Sequence, residues 1–233
     1  MSDLVYFKKS KLDTLANKIN EKCGGVEPIS LDEMIDKCLT TVENEECRKY
    51  FENRTDYKYC FGCASEIPYF VMNPKATDAS NMFHYAKITE MTKLDFSNIT
   101  NVAQCFTNCS KLKKVNINTS KVWSVVNLFN ECTLLVDAGT LDFGSIPNDS
   151  GNRTGGCFNN CKALVEVRFV AKSIKRSLSF AHSPLLSTKS VQSIIDGLAI
   201  VSTAQTITFN KAIALSDEQK QSINEKGWTL VQA

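Results

Sequence analysis

A seven-residue pattern recurs along the middle of the chain: phenylalanine, then cysteine three positions later, then leucine three positions after that. It occurs in full at residues 106–112, 129–135 and 158–164, and weaker copies begin at Phe83 and Phe180, where alanine or serine replaces the cysteine. The spacings between successive phenylalanines are 23, 23, 29 and 22 residues. A near-constant period of this length is typical of repeat proteins, in which each unit buries its apolar face only by packing on its neighbours.

Each unit also contains a short run in which polar and apolar residues alternate, at 93–96, 114–117, 140–143 and 166–169. Alternation with a period of two predicts one short β-strand per unit, with one face buried and the other solvated. The polar positions should then lie side by side on one sheet face: Lys93, Asp95, Lys114, Asn116, Asp142, Glu166 and Arg168. The simpler interpretation is a solvated face; the functional one is a mixed-charge surface that binds a protein or a glycan.

Equivalent residues of stacked units should align in ladders that share a continuous core. We predict a ladder of aromatic rings made by Phe83, Phe106, Phe129, Phe158 and Phe180. We predict a second ladder beside it, made by Cys109, Cys132 and Cys161. The longest spacing contains residues 145–156, which are rich in Gly, Pro and Asn and therefore predict an inserted loop. Binding sites often lie on such loops.

The C-terminal end of the chain predicts a cap for the array, because an open end would expose core residues and strand edges. Apolar residues at helical spacing predict a helix over 188–199. Ser216, followed by an acidic first turn, predicts the start of a second helix, and Gly227 predicts its end. Alternation predicts strands on either side of that helix, at 206–210 and 228–232.

The N-terminal end has a different pattern, which predicts two short amphipathic helices over residues 10–23 and 30–38. Their apolar faces need a partner, either the repeats or another chain, and we assign an assembly role to Leu12, Leu15, Ile19, Met34 and Ile35. A lead-in follows, with strands predicted at 57–60 and 67–72. The predicted division is an attachment segment, a lead-in, the repeats and a cap, at residues 1–45, 46–80, 81–187 and 188–233.

Composition and charge limit the classes of partner. The formal net charge is +2, which argues against a strongly basic protein that binds nucleic acid. No apolar run approaches the roughly 20 residues that span a bilayer, so we expect no membrane span. The first residues lack a positive region followed by an apolar segment, so the sequence predicts no secretory signal.

The ten cysteines are the most prominent candidate chemistry. Without a secretory signal we expect free thiols, which pack as small hydrophobic groups. Cys60 and Cys63 form a C-x-x-C motif, for which packing, a metal site and a redox pair are three interpretations. We favour packing, because no second such motif exists and because His84 and His182 are far apart in sequence. We therefore predict no metal, no cofactor and no catalytic residue.

The repeat resembles the BspA-type leucine-rich repeats of bacterial surface proteins. Residues 94–112 are similar to one unit of that family, with a strand, a Ser-Asn-x-Thr-x-Val segment, Phe-x-x-Cys and a leucine. The resemblance covers about residues 80–187. It implies an α/β repeat fold: a short leucine-rich-repeat-like β-solenoid with a helical N-terminal segment and an α/β C-terminal cap. The family implies no common ligand.

Two further similarities favour a viral setting. Residues 206–230 are similar to the last segment of BspA-type proteins encoded by gut bacteria and their phages, and residues 12–35 look like an N-terminal segment common in phage tail and baseplate proteins. Together with the missing secretory signal, they imply a non-enzymatic virion protein of the tail or baseplate. We expect it to form a homo-oligomer, to contact other virion proteins and to bind a host-surface protein or glycan.

Three alternatives stay open at this point. The first is a capsid or tail decoration protein that binds no receptor. The second is an adhesin at the bacterial cell surface. The third is an enzyme such as a glycan hydrolase, whose two carboxylates are often far apart in sequence.

Overall fold

The computed structural model describes residues 53–65, 72–92 and 94–233. The chain divides into two compact units, Met1–Tyr50 and Phe51–Ala233, and the described residues belong to the second. The helices and the five assembly residues predicted for residues 1–45 lie outside the described residues, as do Lys93 and most of the strand predicted at 67–72. In the described part the fold is mixed α/β, with parallel strands in two sheets and two helices.

Four short parallel strands form the first sheet in chain order: β1 (Glu90–Met91), β2 (Lys114–Val115), β3 (Asp137–Leu141) and β4 (Glu166–Phe169). The register aligns the first residues of the four strands with one another. In each strand an exposed or half-buried polar residue is followed by a buried apolar one, as the alternation predicts. Because the strands are so short, the hydrogen bonds of this sheet alone cannot stabilise the fold.

The predicted strands agree with this sheet in three units and fail in one. The strand at 166–169 is confirmed, the one at 114–117 is shorter than predicted, and the third begins at Asp137. The strand predicted at 93–96 is wrong, because the strand of that unit is β1. Asp95 lies in a turn, where its carboxylate accepts hydrogen bonds from the hydroxyl of Ser97 and, at 2.8 Å, from its backbone N–H. These bonds lower the pKa of Asp95. Burial alternates through such a turn as it does along a strand, so alternation did not distinguish the two.

Stacked phenylalanine rings run through the repeats, and this predicted ladder is confirmed. It is longer than predicted, because Phe61 and Phe209 extend it at its two ends. Successive ring centroids lie 4.7–6.2 Å apart, with ring planes within 31° of parallel. All seven rings are buried.

The strand predicted at residues 57–60 is wrong, as is the one predicted at 93–96. Residues 57–60 form the turn that precedes Phe61, in a further copy of the repeat.

Two left-handed backbone positions flank the phenylalanine in five units, two residues before it and two residues after it. They are Tyr59 and Cys63, Asn81 and Tyr85, Gln104 and Asn108, Asn127 and Glu131, and Gly156 and Asn160, all with φ between 52° and 67°. A residue other than glycine in this region costs about 1 kcal/mol, and asparagine is among those that tolerate it best. The two left-handed positions turn the backbone so that every second N–H group points at the next unit. The N–H of Phe83, for example, donates to the carbonyl of Cys105 at 2.9 Å.

The predicted cysteine ladder is confirmed, and its thiols also make hydrogen bonds. The Sγ atoms of Cys109, Cys132 and Cys161 each donate to the carbonyl oxygen of the phenylalanine one unit earlier, at 3.0, 3.0 and 3.2 Å. Ser183 occupies the same position in its unit and donates to the carbonyl of Cys161 at 3.3 Å. Burial raises the pKa of Cys109 to about 12, and it raises the pKa of the other two thiols as well.

The C-terminal part forms a second parallel sheet with two helices: β5 (Leu178–Phe180), α1 (Thr188–Gly197), β6 (Gln205–Phe209), α2 (Asp217–Glu225) and β7 (Trp228–Gln232). The predicted helices and strands are confirmed to within two residues. Ser216 caps α2 in a capping box with Gln219, the Ser216 hydroxyl accepting from the Gln219 N–H at 3.3 Å. Gly227 ends this helix region with a φ of 82°.

Helix α1 covers the outer edge of the first sheet. The backbone N–H groups of Val167 and Phe169 in β4 donate to the hydroxyls of Ser190 and Ser193, at 3.0 and 2.9 Å. An uncovered edge of parallel strands would present these N–H groups to another chain. The helix therefore ends the sheet and leaves its polar face open.

We expect Phe129→Ala to lower the free energy of unfolding by about 3–5 kcal/mol, because it removes a ring from the middle of the ladder. Urea denaturation followed by circular dichroism measures this change. The matched control is Leu134→Ala, which truncates a side chain that is 47% exposed and should change stability by no more than about 0.5 kcal/mol. Equal effects of the two substitutions would contradict the role assigned to the ladder.

We also expect the protein to lose stability as the pH rises above about 9. Five described thiols are buried and have a raised pKa: Cys105, Cys109, Cys132, Cys157 and Cys161. The folded state holds protons that the unfolded chain releases near pH 8.5. Their contribution is therefore complete below that pH and is lost as the pH rises toward the folded pKa. Each thiol adds a slope of about 1.4 kcal/mol per pH unit in that window.

Urea denaturation at pH 7.5, 9 and 10 measures this dependence. The comparison variant replaces Cys109, Cys132 and Cys161 by serine, the residue that the repeat itself has at position 183. Tyrosines and lysines titrate equally in both proteins, so a shallower slope in the variant isolates the thiols. Identical slopes would show that the buried thiols do not cause the loss.

Candidate binding face and groove

The exposed face of the first sheet presents one charged residue at the start of each strand. These residues, here called the charged row, are Glu90, Lys114, Asp137 and Glu166. Glu90 and Lys114 are exposed, and Asp137 and Glu166 are half-buried. Lys114 makes no ion pair with any residue that the structure describes, so its charge is available to a partner.

Arg168 lies on the same face and forms ion pairs with the charged residues of the charged row on β3 and β4. Its Nη2 lies 3.3 Å from Asp137 Oδ1 and its Nη1 lies 3.9 Å from Glu166 Oε2. Its Nε donates to the hydroxyl of Thr140 at 3.3 Å. The side chain is 47% exposed, so these ion pairs contribute at most about 1 kcal/mol to stability. Their main consequence is that one guanidinium group bridges two neighbouring strands.

A β-bulge in β3 determines where Thr140 points. The register with β4 shifts between Asp137 and Thr140, and Gly139 lies inside the shift with a φ of 71°. A Cβ at Gly139 would lie 2.7 Å from the carbonyl oxygen of Val115, so no larger residue fits without a shift of the backbone. The bulge returns Thr140 to the exposed face beside Arg168.

A groove of about 380 Å³ lies where β2, β3 and β4 end. Most of the residues that line it have polar side chains, but their carbon atoms make up more of the exposed lining than their nitrogen and oxygen atoms do. The lining comes from three consecutive units: Asn116, Asn118, Ser120, Thr140, Asp142 and Val170. Ile117 and Thr119 also line it and are themselves buried. Val170 is 43% exposed and contributes to the apolar part of this surface, beside the amides, hydroxyls and one carboxylate of the other residues.

Side chains fold back on the backbone and fix the shape of this groove. Asn118 Oδ1 accepts from the backbone N–H of Ser120 at 2.9 Å and from its hydroxyl at 2.8 Å. Asp142 Oδ1 accepts from the N–H of Gly144 at 2.8 Å, and the N–H of Asp142 donates to the Thr119 hydroxyl at 2.7 Å. Each of the two side chains therefore uses one polar atom for its own turn. Its second polar atom makes no hydrogen bond to any described residue.

The inserted segment 145–156 forms a fixed wall beside the groove. Ser145 donates its hydroxyl proton to the carbonyl of Ser120 at 2.5 Å, and Lys175 Nζ donates to the carbonyl of Gly144 at 2.7 Å. The guanidinium of Arg176, which is only 14% exposed, donates to the carbonyls of Pro147, Asp149 and Gly151. The predicted insertion is thus held by the units that precede and follow it in the chain.

The residues predicted for the sheet face divide into three groups. Lys114, Glu166 and Arg168 lie on strands of the face, whereas Asn116 and Asp142 line the groove. Asp95 is in the turn described above. The sequence prediction missed Glu90, Asp137, Asn118, Thr140 and Val170. Asn118 was detectable, because it stands 23 residues after Asp95 and 24 before Asp142 and makes the same turn as both.

The repeat determines the positions of the two cysteines in the C-x-x-C motif, because they lie on either side of Phe61. Cys60 precedes Phe61 and is half-buried, and burial raises its pKa to about 11. Cys63 occupies a left-handed position, and its N–H donates to the carbonyl of His84 at 3.0 Å. Cys60 therefore has the packing position that Cys105 and Cys157 fill in other units, and Cys63 has a backbone position that other units fill with other residue types. Within the described ranges, no three His, Cys, Asp or Glu side chains are grouped as metal ligands would be.

Comparison with known proteins gives no relative. No family model matches the chain, and no curated protein or solved structure matches it. Among the helices that the structure describes, none combines the length and the apolar character needed to cross a bilayer.

We expect Gly139→Ala to lower the free energy of unfolding by about 1–2 kcal/mol or more, from the left-handed backbone and the contact with Val115. Thermal unfolding measures the loss. The matched control is Gly62→Ala, because a Cβ there would lie 3.5 Å from its nearest neighbour and should change stability by about 0.5 kcal/mol at most. A Gly139→Ala variant as stable as the control would contradict the bulge geometry.

Proposed function

We propose that this chain is a non-enzymatic virion protein of a phage tail or baseplate, which binds a host-surface glycan or protein through its repeats. The observation that supports binding most directly is the open sheet face. It presents charges on adjacent strands, Arg168 holds two of them in place, and a polar groove adjoins it. A mixed-charge, extended surface of this kind suits a polar macromolecule better than a small apolar ligand.

We propose further that the repeats form a short leucine-rich-repeat-like β-solenoid. Three lines of contact between units support this. The first is the parallel sheet, and the second is the ladder of rings. The third is a row of parallel backbone bridges that joins Asp56 to Asp78, Asp78 to Asn101 and Asn101 to Ser124. Contacts along three separate lines are what coils stacked along one axis would make.

The groove supports a binding role over a hydrolytic one. Glycoside hydrolysis needs two carboxyl groups that face each other across the substrate, about 5 to 9.5 Å apart. Asp142 is the one carboxylate among the residues that line the groove, and one of its oxygens accepts from Gly144. Asp137 and Glu166 lie on the sheet face, where Arg168 neutralises part of their charge. The lining of the groove therefore holds one carboxyl group, where an acid and a base would require two.

The proposed attachment to the particle depends on residues 1–45. Their amphipathic pattern, with Leu12, Leu15 and Ile19 on one predicted helical face, suits docking on another protein. A virion would display several copies, and multiple weak sites on one particle bind a cell with high avidity. The decoration protein stays the second candidate, because the same helices would serve a particle that binds no receptor.

The test is the binding of the whole 233-residue chain, fluorescently labelled, to a panel of intact gut bacterial strains by flow cytometry. We expect it to bind a subset of strains. The variant Lys114→Ala with Arg168→Ala should bind those strains on the order of tenfold more weakly, because two charged contacts on the face are lost. The control Lys211→Ala with Lys220→Ala removes the same charge from the C-terminal part and should bind as the parent does.

Equal loss in both variants would mean that net charge drives the adsorption, and would refute a role for the sheet face. Failure to bind any strain would favour the decoration protein. Purified phage particles that carry the chain provide the complementary observation, since antibodies to the chain should block their adsorption only if it binds the receptor.

A further inference from the structure

We infer that the groove at the ends of β2, β3 and β4 is a carbohydrate subsite that takes an uncharged sugar unit of a glycan. This inference rests on the proposed function and selects a glycan over a protein as the ligand of that site. The groove measures about 380 Å³, near the lower end of the range of small-molecule pockets. That volume suits one or two sugar rings and is too small for a folded epitope.

The unused polar atoms of the groove match the chemistry of sugar hydroxyls. A hydroxyl donates one hydrogen bond and accepts others, so a sugar needs both donors and acceptors around it. The carboxamide of Asn116 supplies both, and it makes no hydrogen bond to a described residue. Asn118 Nδ2 supplies donors and Asp142 Oδ2 an acceptor, since each of these residues uses only its other polar atom for its own turn.

The apolar part of the groove is also of the expected kind. A sugar ring has C–H groups on its faces, which gain from contact with an apolar surface. Val170 is 43% exposed at the edge of the lining. No other aliphatic or aromatic side chain of the lining is exposed, and the carbon atoms of the polar side chains supply the rest of the apolar surface.

The charge of the groove favours an uncharged sugar. Asp142 is the single charged residue of the lining. Two cations lie beside the lining, and both already have partners: Arg168 donates to Thr140 at 3.3 Å and pairs with Asp137 and Glu166, and Lys175 donates to the carbonyl of Gly144 at 2.7 Å. An anionic sugar would place its carboxylate or sulfate near Asp142 and would have to compete with these partners for a cation, which costs free energy.

The groove is preorganised, which reduces the entropy lost on binding. The turns of Asn118 and Asp142 fix two of its polar side chains, and Arg176 holds the wall by three carbonyls. A ligand would therefore meet side chains that are already in place. The bulge at Gly139 fixes Thr140 in the same way from the sheet side.

The test is a glycan array that presents neutral, amino and acidic glycans to the whole chain, followed by isothermal titration with the best-bound free oligosaccharide. We expect binding to neutral glycans. The variant Asn116→Ala should raise the Kd on the order of tenfold, because it removes a carboxamide that binds the sugar and makes no hydrogen bond to a described residue. Asp142→Asn keeps an acceptor for Gly144, and it should weaken neutral glycans while it relieves the exclusion of acidic ones.

The matched control is Asn224→Ala, which removes an exposed carboxamide from helix α2 and should leave the Kd unchanged. Preference for acidic glycans by the parent chain would overturn the inference. So would unchanged neutral binding in both groove variants, or failure to bind any neutral glycan, including polysaccharide extracted from strains that the chain binds.

The failure of this inference is distinguishable from failure of the proposed function. Suppose that the chain binds cells, that protease treatment of the cells abolishes this binding, and that both groove variants bind as the parent does. The ligand is then a protein, and only the sugar subsite is refuted. If the chain binds no cells but binds neutral glycans through Asn116, the subsite stands and the attachment role is refuted.

Discussion

The stack of phenylalanine rings is the interaction on which the rest of this structure depends. The strands of the first sheet are two to five residues long, and sheets of that size do not persist without an apolar core. The rings supply this core in a form that every unit can repeat, since each ring packs between the ring before it and the ring after it. The left-handed residues on either side of the phenylalanine in five units follow from this constraint. They bend the backbone around the ring and direct its N–H groups at the next unit, so one short segment provides both the packing and the hydrogen bonds between units.

A repeat held in this way can vary in length only where the extra residues leave the stack intact. The unit between Phe129 and Phe158 is longer than the others, and its extra residues lie at two such places. One extra residue is taken up by the bulge at Gly139, and the others lie between Ile146 and Phe158, on the return side of the unit. Neither moves Phe129 or Phe158 out of the ladder. The groove lies between these two places. This coincidence has a physical basis, because regular units present the same shallow surface everywhere and a distinct cavity requires a place where neighbouring units differ.

The parts of the fold that the amino-acid sequence predicted are those determined by periodic burial. Phe106, Cys132 and the helix that begins at Thr188 all follow from spacing, and all lie where spacing placed them. Phe61 was missed because Cys60 and Cys63 suggested separate chemistry and because its unit has alanine in the cysteine position. Asp95 was misplaced because a polar residue at a period of two looks the same on a strand and in a turn. The groove could not be predicted at all, since its shape depends on how the side chains of Asn118 and Asp142 fold back on the backbone, and on a bulge that brings Gly139 close to Val115.

The face and the groove would contribute to binding in different ways, and the difference bears on how the protein must be displayed. Charges such as Lys114 act over a distance set by the ionic strength, about 8 Å in physiological salt, and they mainly raise the rate of encounter. The groove determines selectivity, because its fixed amides and carboxylate accept only ligands with matching hydroxyls. A site of this size that is open to solvent and almost without aromatic surface binds weakly, because few of its contacts are removed from water. Weak single sites are effective when many copies face the same cell surface. The proposed homo-oligomer on a virion is therefore the arrangement that makes such a groove useful, and an isolated subunit would exchange rapidly with its ligand.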